Sequence, residues 1–224
     1  MKSEDLVRSL ANELEPVRRL SSVEWRTAVW IAVAVCCAAL GTWALGPRAD
    51  LSAKLRDPVY LGESALLFLI FVLSARSAFH LSVPGAERST QARALPIAGL
   101  LVWAGLLAVN HPAEAMAAPA GWSCVLKMIC VVLTPSLAVL YMLRKGAPLS
   151  PGWTGWFGLL SAGSLALLGT RILCSKDGLQ HVLFWHLAPL LLATFVGIHL
   201  GRWLFNRPLA LPRGDSGGAR GSFG

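Results

Sequence analysis

The sequence has few charged residues. Only 14% of its 224 residues are Asp, Glu, Lys or Arg, and 55% are hydrophobic. An average soluble domain carries about 25% charged residues. The charges that are present lie in groups, and the long stretches between the groups have almost none. This composition excludes an ordinary soluble domain and predicts membrane spans, which need roughly 20 apolar residues each.

The chain also lacks the short motifs of several common chemistries. It has no Walker loop, HExxH or GxSxG, so we predict that it is not an enzyme. No CxxC occurs, which excludes the usual zinc-finger and thioredoxin signatures. The net charge of +8 is explained by basic cytoplasmic loops, so no direct nucleic-acid partner is predicted.

Six apolar runs are present. They cover residues 27–45, 60–79, 95–109, 125–143, 153–173 and 182–205. Uniformly apolar runs of this length lack the alternation of a membrane barrel, so helix is the expected form. The fold class that we predict is all-α, a polytopic membrane protein whose six transmembrane helices occupy residues 25–205.

The distribution of basic residues predicts the orientation of the spans. With a cytoplasmic N-terminus, inner segments hold fourteen Lys and Arg residues and outer segments hold six. Lys and Arg accumulate on the cytoplasmic side, so we expect a multi-pass protein in a lipid bilayer with both termini cytoplasmic. Eight of nine tryptophans, Trp30 and Trp103 among them, lie near predicted span ends, as interfacial aromatic residues do.

Polar segments flank the predicted spans. Residues 206–224 are rich in Gly, Arg and Pro, a composition typical of a disordered cytoplasmic tail. Residues 1–24 are too polar for a signal peptide and predict a short cytoplasmic helix instead.

Within that helix, Leu6, Leu10 and Leu14 form one apolar stripe. The membrane surface, the bundle itself or a groove in a partner protein are alternative surfaces for the stripe. The polar face has charges of both signs, which favours a protein partner.

Two cysteines lie at similar positions. Cys124 opens the fourth run and Cys174 closes the fifth, and only residues 144–152 connect the two runs. Such a short link makes the runs antiparallel neighbours. At about 1.5 Å of rise per residue, both thiols lie within roughly 3 Å of the same height. We expect both at the outer face, where disulfides can form.

Cations are close to both cysteines in sequence. Lys127 is one helical turn after Cys124, and Arg171 is one turn before Cys174. These cations either favour reactive thiolates or extend to the lipid head groups. His186 bonds a backbone carbonyl or joins the two cysteines as a ligand of a soft metal. No resident cofactor is predicted, beyond possible transient binding of such a metal.

The order of short motifs resembles that of a known family. The chain contains LANELEPVRRL, DLSAKLRDP, LSVPG, GWSC, RKGAPLSP, a cysteine at position 174 and WH at 185–186. In this order they resemble the NrsF-type anti-sigma factors, over about residues 5–205. The resemblance implies a six-span inner-membrane regulator that sequesters an extracytoplasmic-function sigma factor and releases it under oxidative or heavy-metal stress. It also implies that Cys124 and Cys174 sense the stress, and less firmly that residues 3–20 bind sigma.

Two other functional classes stay open at this stage. One is a small multi-span transporter or a redox membrane protein that binds haem or metal. The other is a structural subunit that docks through its N-terminal helix. Against transport, the charged residues of the spans lie within a few residues of an end, whereas ion pathways carry charge near the bilayer centre.

Overall fold

The structure is a computed structural model that describes residue 4 and residues 20–111, 121–146 and 148–205. No strand occurs in these residues, in agreement with the all-α prediction. The stripe of Leu6, Leu10 and Leu14 and the tail 206–224 lie outside the described residues, so their predictions stay untested.

The described elements are α1 to α8 and one π-helix. They are α1 Val23–Leu45, α2 Leu51–Lys54, α3 Pro58–Leu81, α4 Thr90–Asn110, α5 Trp122–Arg144, α6 Pro151–Leu173, α7 Leu179–Val182, the π-helix Leu183–Leu187 and α8 Ala188–Phe205. With α7, the π-helix and α8 taken together as Leu179–Phe205, six helices are long and apolar enough to span a membrane. This confirms the predicted number of spans. The third span is longer than its apolar run suggests, because the helix begins at Thr90 and includes Pro96.

Local sequence signals explain where several helices begin. The side chain of Ser22 accepts a hydrogen bond from the backbone N–H of Trp25 and caps α1. Asp57 caps α3 in the same way and is followed by Pro58 at the first helical position, and Ser89 caps α4. These caps satisfy backbone donors that have no partner inside the helix.

Helix α6 is the centre of the bundle. In its most apolar window, 83% of the residues are buried, against 22–39% in the other spans. Its small residues allow close approach of other helices, as is common in membrane bundles. A Cβ atom on Gly155 would lie 2.1 Å from the backbone oxygen of Gly197, so α6 and α8 are in backbone contact there.

Two tryptophans contradict the interfacial prediction. Trp30 and Trp103 are fully buried in the core, and Trp30 packs edge-on against Phe71. Proximity to a span end does not determine which face of a helix points outward, so the prediction was wrong for these two residues.

The bundle has two distinct ends. We call the end that carries Cys124 and Cys174 the cysteine end, and the opposite end, where α1 begins, the Arg26 end. Buried Arg26 donates hydrogen bonds to Ser82 Oγ (3.1 Å) and to the Met142 carbonyl oxygen (3.2 Å). It therefore ties α1 to the turn after α3 and to α5. Gly146 lies directly against Ser82, so the turns after α3 and after α5 form one surface.

Candidate thiol–imidazole site

The two cysteines at the cysteine end are in contact. Cys124 lies in the first turn of α5, and Cys174 caps the end of α6 with its N–H bonded to the Thr170 carbonyl oxygen at 2.7 Å. Their sulfur atoms are 3.4 Å apart, and both residues are buried free cysteines. The short link between α5 and α6 predicts that the two cysteines lie at equal height along the bundle. The rotation of each helix about its axis then turns the two side chains toward each other.

Two histidines complete a cluster around the thiols. The Nε2 atom of His181 lies 3.5 Å from the Cys174 sulfur. The rings of His181 and His186 meet edge to face, with centroids 5.1 Å apart. One potential ligand atom from each of the four residues lies within 4.8 Å of the others. Of these two histidines, the sequence indicates only His186 as a partner of the thiols.

A π-helix brings these two histidines together. In a regular α-helix, residues five apart are rotated by about 140° from each other. In a π-helix the hydrogen bond runs from i to i+5, so such residues are neighbours along the axis. The π-helix Leu183–Leu187 contains His186 and begins two residues after His181. Pro189 lies two residues later. It has no N–H and disfavours regular helix before it, which accounts for the irregular turn.

The motifs GWSC and WH pack against each other. Trp122 and Trp185 meet edge to face, with ring centroids 5.6 Å apart. The indole of Trp185 covers Gly121 so closely that a Cβ atom there would lie 1.7 Å from the ring. Glycine is therefore required at position 121, because this contact fixes the start of α5 and with it Cys124.

Arg48 holds the segment that follows Cys174. Its side chain, 1% exposed, bonds the Cys174 carbonyl oxygen at 2.8 Å and both carboxylates of Asp50 and Asp177. Lys54 also pairs with Asp177, at 2.8 Å. The hydrogen bonds from Asp50 and Asp177 raise the pKa of Arg48. Burial alone would raise the pKa of Asp177, but the hydrogen bonds from Arg48 and Lys54 lower it to about 2.

The two thiols have unequal environments. The hydrogen bond to Cys124 raises the pKa of the Cys174 thiol, and burial raises it further. The ammonium groups of Lys127 and Lys176 are near enough to Cys124 to attract a thiolate there. A pair in which one sulfur carries the charge and the other the proton is suited to attack on an oxidant or a metal.

A second polar cluster lies beside the thiols. Arg171 pairs with buried Glu63 at 2.9 Å, and His111 contacts the same carboxylate at 3.1 Å. The guanidinium of Arg171 also stacks on the ring of Tyr60. Arg171 therefore joins α3, α4 and α6, and its expected influence on the thiols stays a prediction. Neither Glu63 nor Arg48 was identified from the sequence as part of this region.

A search of curated proteins and a search of solved structures each returned no match. The model of the NrsF family, described as negative regulator of sigma F, matches residues 10–206, nearly the whole chain. The motif order and the six-span fold are consistent with that match. The chain belongs to the NrsF family of negative regulators of sigma F.

Proposed function

We propose that this chain is a membrane-bound anti-sigma factor that sequesters an extracytoplasmic-function sigma factor. Oxidation of Cys124 and Cys174, or capture of a soft metal by them, releases the sigma factor under stress. The observation that carries this proposal is the contact between two buried free thiols, whose sulfur atoms lie 3.4 Å apart. The family match supports the sigma-factor partner.

The proposed location is the bacterial inner membrane, with both termini in the cytoplasm. Six apolar spans return the chain to the side on which it starts. The excess of basic residues in the segments on that side supports a cytoplasmic Arg26 end. The cysteine end then faces the periplasm, an oxidising compartment in which disulfides form and persist.

The oxidation step balances with a peroxide as oxidant. One thiolate attacks hydrogen peroxide and, with one proton, gives a sulfenic acid and water. The second thiol then displaces water from the sulfenic acid to close the disulfide. Two thiols and one peroxide thus give one disulfide and two waters. A disulfide bond is about 2.05 Å long, so the sulfur atoms, now 3.4 Å apart, must move together.

Helices α5 and α6 connect this movement to the other end of the bundle. Cys124 lies at the start of α5 and Cys174 caps α6, whereas residues 144–151 join the opposite ends of the same helices. Because α6 is the most buried span, a change in its tilt alters several contacts at once. The Arg26 end, where Ser82 meets Gly146, is the surface that we expect to respond.

The free-energy coupling required between the state of the thiols and the binding of the sigma factor is modest. Allosteric couplings are typically about 1–3 kcal/mol, which weakens binding by roughly 5–150-fold. A change of that size is enough to release a sigma factor whose concentration is near its dissociation constant.

Co-purification tests the proposal. The reduced protein, extracted in mild detergent, is expected to retain a sigma factor identifiable by mass spectrometry, and peroxide is expected to release it. The double variant Cys124→Ser/Cys174→Ser should retain the sigma factor in peroxide. Cys130→Ser, an exposed thiol on the same helix α5, is the control and should respond as the wild type does. If the double variant releases the sigma factor like the wild type, the thiol switch is wrong.

The sigma-binding element is proposed separately. We expect Leu6, Leu10 and Leu14 to contact the sigma factor, because a single apolar stripe suits a groove in a partner protein. Deletion of residues 1–22 should abolish sigma capture while the protein still inserts into the membrane. Retained capture would move the binding surface to the turns at the Arg26 end.

A further inference from the structure

The geometry points to a tetrahedral metal site formed by Cys124, Cys174, His181 and His186, suited to Zn²⁺ or Cd²⁺. One ligand atom from each of these residues lies within 4.8 Å of the others. Two sulfur and two nitrogen ligands are a usual set for a closed zinc site.

The distances are close to those of a formed site. Two thiolates bound to zinc at about 2.3 Å in tetrahedral geometry lie about 3.8 Å apart, and a thiolate and an imidazole nitrogen about 3.5 Å. The Cys124 and Cys174 sulfur atoms are 3.4 Å apart, and the Cys174 sulfur lies 3.5 Å from His181 Nε2. The remaining distances between ligand atoms are at most 4.8 Å, so they shorten by no more than about 1–1.5 Å when an ion binds.

One buried nitrogen of the cluster has no partner within the described residues. His186 is 2% exposed, and its Nδ1 atom makes no hydrogen bond. Buried polar atoms are rarely unpaired, because the lost interaction with water costs free energy. An ion bonded to this nitrogen would satisfy it. His181 is only partly buried, so the cluster has a side from which an ion can enter.

Charge also favours a divalent soft ion. Two thiolates cancel the charge of one Zn²⁺ or Cd²⁺, so the filled site is neutral. Lys127 and Lys176 are near enough to Cys124 to favour the thiolate form. Hard ions such as Mg²⁺ and Ca²⁺ prefer oxygen ligands, and none of the four residues supplies one.

This inference deepens the proposed function, since it concerns the thiols of the proposed sensor and rests on that function for its regulatory meaning. An ion held by both thiolates makes them unavailable for oxidation until peroxide reacts with the site. That reaction balances when one zinc dithiolate, one peroxide and two protons give Zn²⁺, one disulfide and two waters. Metal loading and the disulfide are thus alternative states of one site.

Metal titration of the purified protein tests the site. The reduced full-length chain, carrying an affinity tag without histidine, is stripped with chelator and titrated with Co²⁺, Zn²⁺ and Cd²⁺. We expect one ion per chain, tetrahedral Co²⁺ absorption with a thiolate charge-transfer band, and displacement of Co²⁺ by Zn²⁺. Mg²⁺ should not compete.

Histidine variants test the ligand set. His181→Gln and His186→Gln should each weaken Zn²⁺ binding by more than about 100-fold, because loss of outer-shell partners alone costs 10–100-fold. The matched control is His199→Gln, an exposed histidine farther along α8, which should bind as the wild type does. Elution as a monodisperse peak and an unchanged rate of alkylation of metal-free thiols show that each variant is folded.

The outcomes separate this inference from the proposed function. No binding of Co²⁺, Zn²⁺ or Cd²⁺ by the reduced wild type overturns the metal site, and so does wild-type affinity in both His181→Gln and His186→Gln. Either result leaves peroxide-driven sigma release intact as a separate measurement. If the metal binds as expected but no sigma factor is captured in any state, the proposed function fails and the metal site stands.

Discussion

Arg48 is a single side chain on which the position of Cys174 depends. It donates to the Cys174 carbonyl oxygen at 2.8 Å and pairs with Asp177 three residues farther on. Its own backbone N–H bonds the Ile172 carbonyl oxygen at 2.9 Å. Hydrogen bonds to charged groups contribute about 1.5–3 kcal/mol each, so this one residue holds the non-helical segment after α6.

Replacement of Arg48 should expose Cys174. Arg48→Gln removes the charge and most of these bonds. We expect alkylation of Cys174 to accelerate at least about tenfold, which corresponds to a loss of about 1.4 kcal/mol in the free energy that keeps this segment closed. The rate is measured by mass spectrometry of the peptide that contains Cys174. Arg56→Gln, an exposed arginine near α2, is the control and should leave the rate unchanged. Equal rates in both variants would contradict the role given to Arg48.

The same cluster makes a contribution to stability that depends on pH. The pKa of Asp177 in the folded protein is about 2, below the usual value of about 3.9. A lowered pKa stabilises the fold above the unfolded-state value, and the stabilisation is lost as the pH falls towards 2. The difference in thermal unfolding midpoint between the wild type and Asp177→Asn should therefore be constant from pH 5 to 7 and roughly halved at pH 3. A difference that persists undiminished at pH 3 would argue against this ion pair.

At the scale of elements, the crossing of α6 and α8 is a contact of backbone against backbone. A Cβ on Gly155 would lie 2.1 Å from the Gly197 oxygen, and one on Gly201 would lie 2.2 Å from the Pro151 oxygen. Backbone atoms cannot rotate away as side chains can. The crossing therefore fixes where α8 lies, and α8 continues directly from the π-helix that carries His186.

A methyl group at this crossing should separate the two helices. We expect Gly155→Ala to destabilise the protein by about 1–3 kcal/mol, the usual cost of overpacking a close-packed core. Unfolding by dodecyl sulfate in mixed micelles measures the change. Gly105→Ala on α4 is the control, because no atom lies within 4 Å of its Cβ position and alanine favours helix there. Equal stability of the two variants would rule out the tight crossing.

At the scale of the whole molecule, the thiol cluster and the turns at the Arg26 end lie at opposite ends of the bundle, because Cys124 is in the first turn of α5 and Arg144 is in its last. Helices α1, α3 and α5 meet at the Arg26 end through Arg26, whereas α2 and the Cys174 segment meet at the cysteine end through Arg48. A signal received at one end must therefore cross the full length of the bundle to act at the other.

Cysteine labelling tests this arrangement in the membrane. In a background without native cysteines, Ser52→Cys places a thiol on α2 at the cysteine end, and Arg88→Cys places one in the turn before α4. Both positions are exposed. A membrane-impermeant maleimide should label Ser52→Cys in intact spheroplasts and Arg88→Cys only after permeabilisation. The reverse pattern would invert the protein and place the thiols in the reducing cytoplasm.

The sequence alone determined the number of spans, their helical form and the shared height of Cys124 and Cys174. These features depend on quantities that hold for any helix in a membrane, namely the length of an apolar run and the rise per residue. A short link between α5 and α6 was then sufficient to bring both thiols to one end.

The tertiary structure decided how the helices are rotated about their axes and which side chains therefore meet. Trp30 and Trp103 point into the core, and the π-helix before Pro189 places His181 beside His186. Arg48 reaches Cys174 across 126 residues of sequence. Apolar runs without periodicity carry no signal about rotation, because lipid and protein interior are equally apolar, so only the packing of six helices against one another settles it.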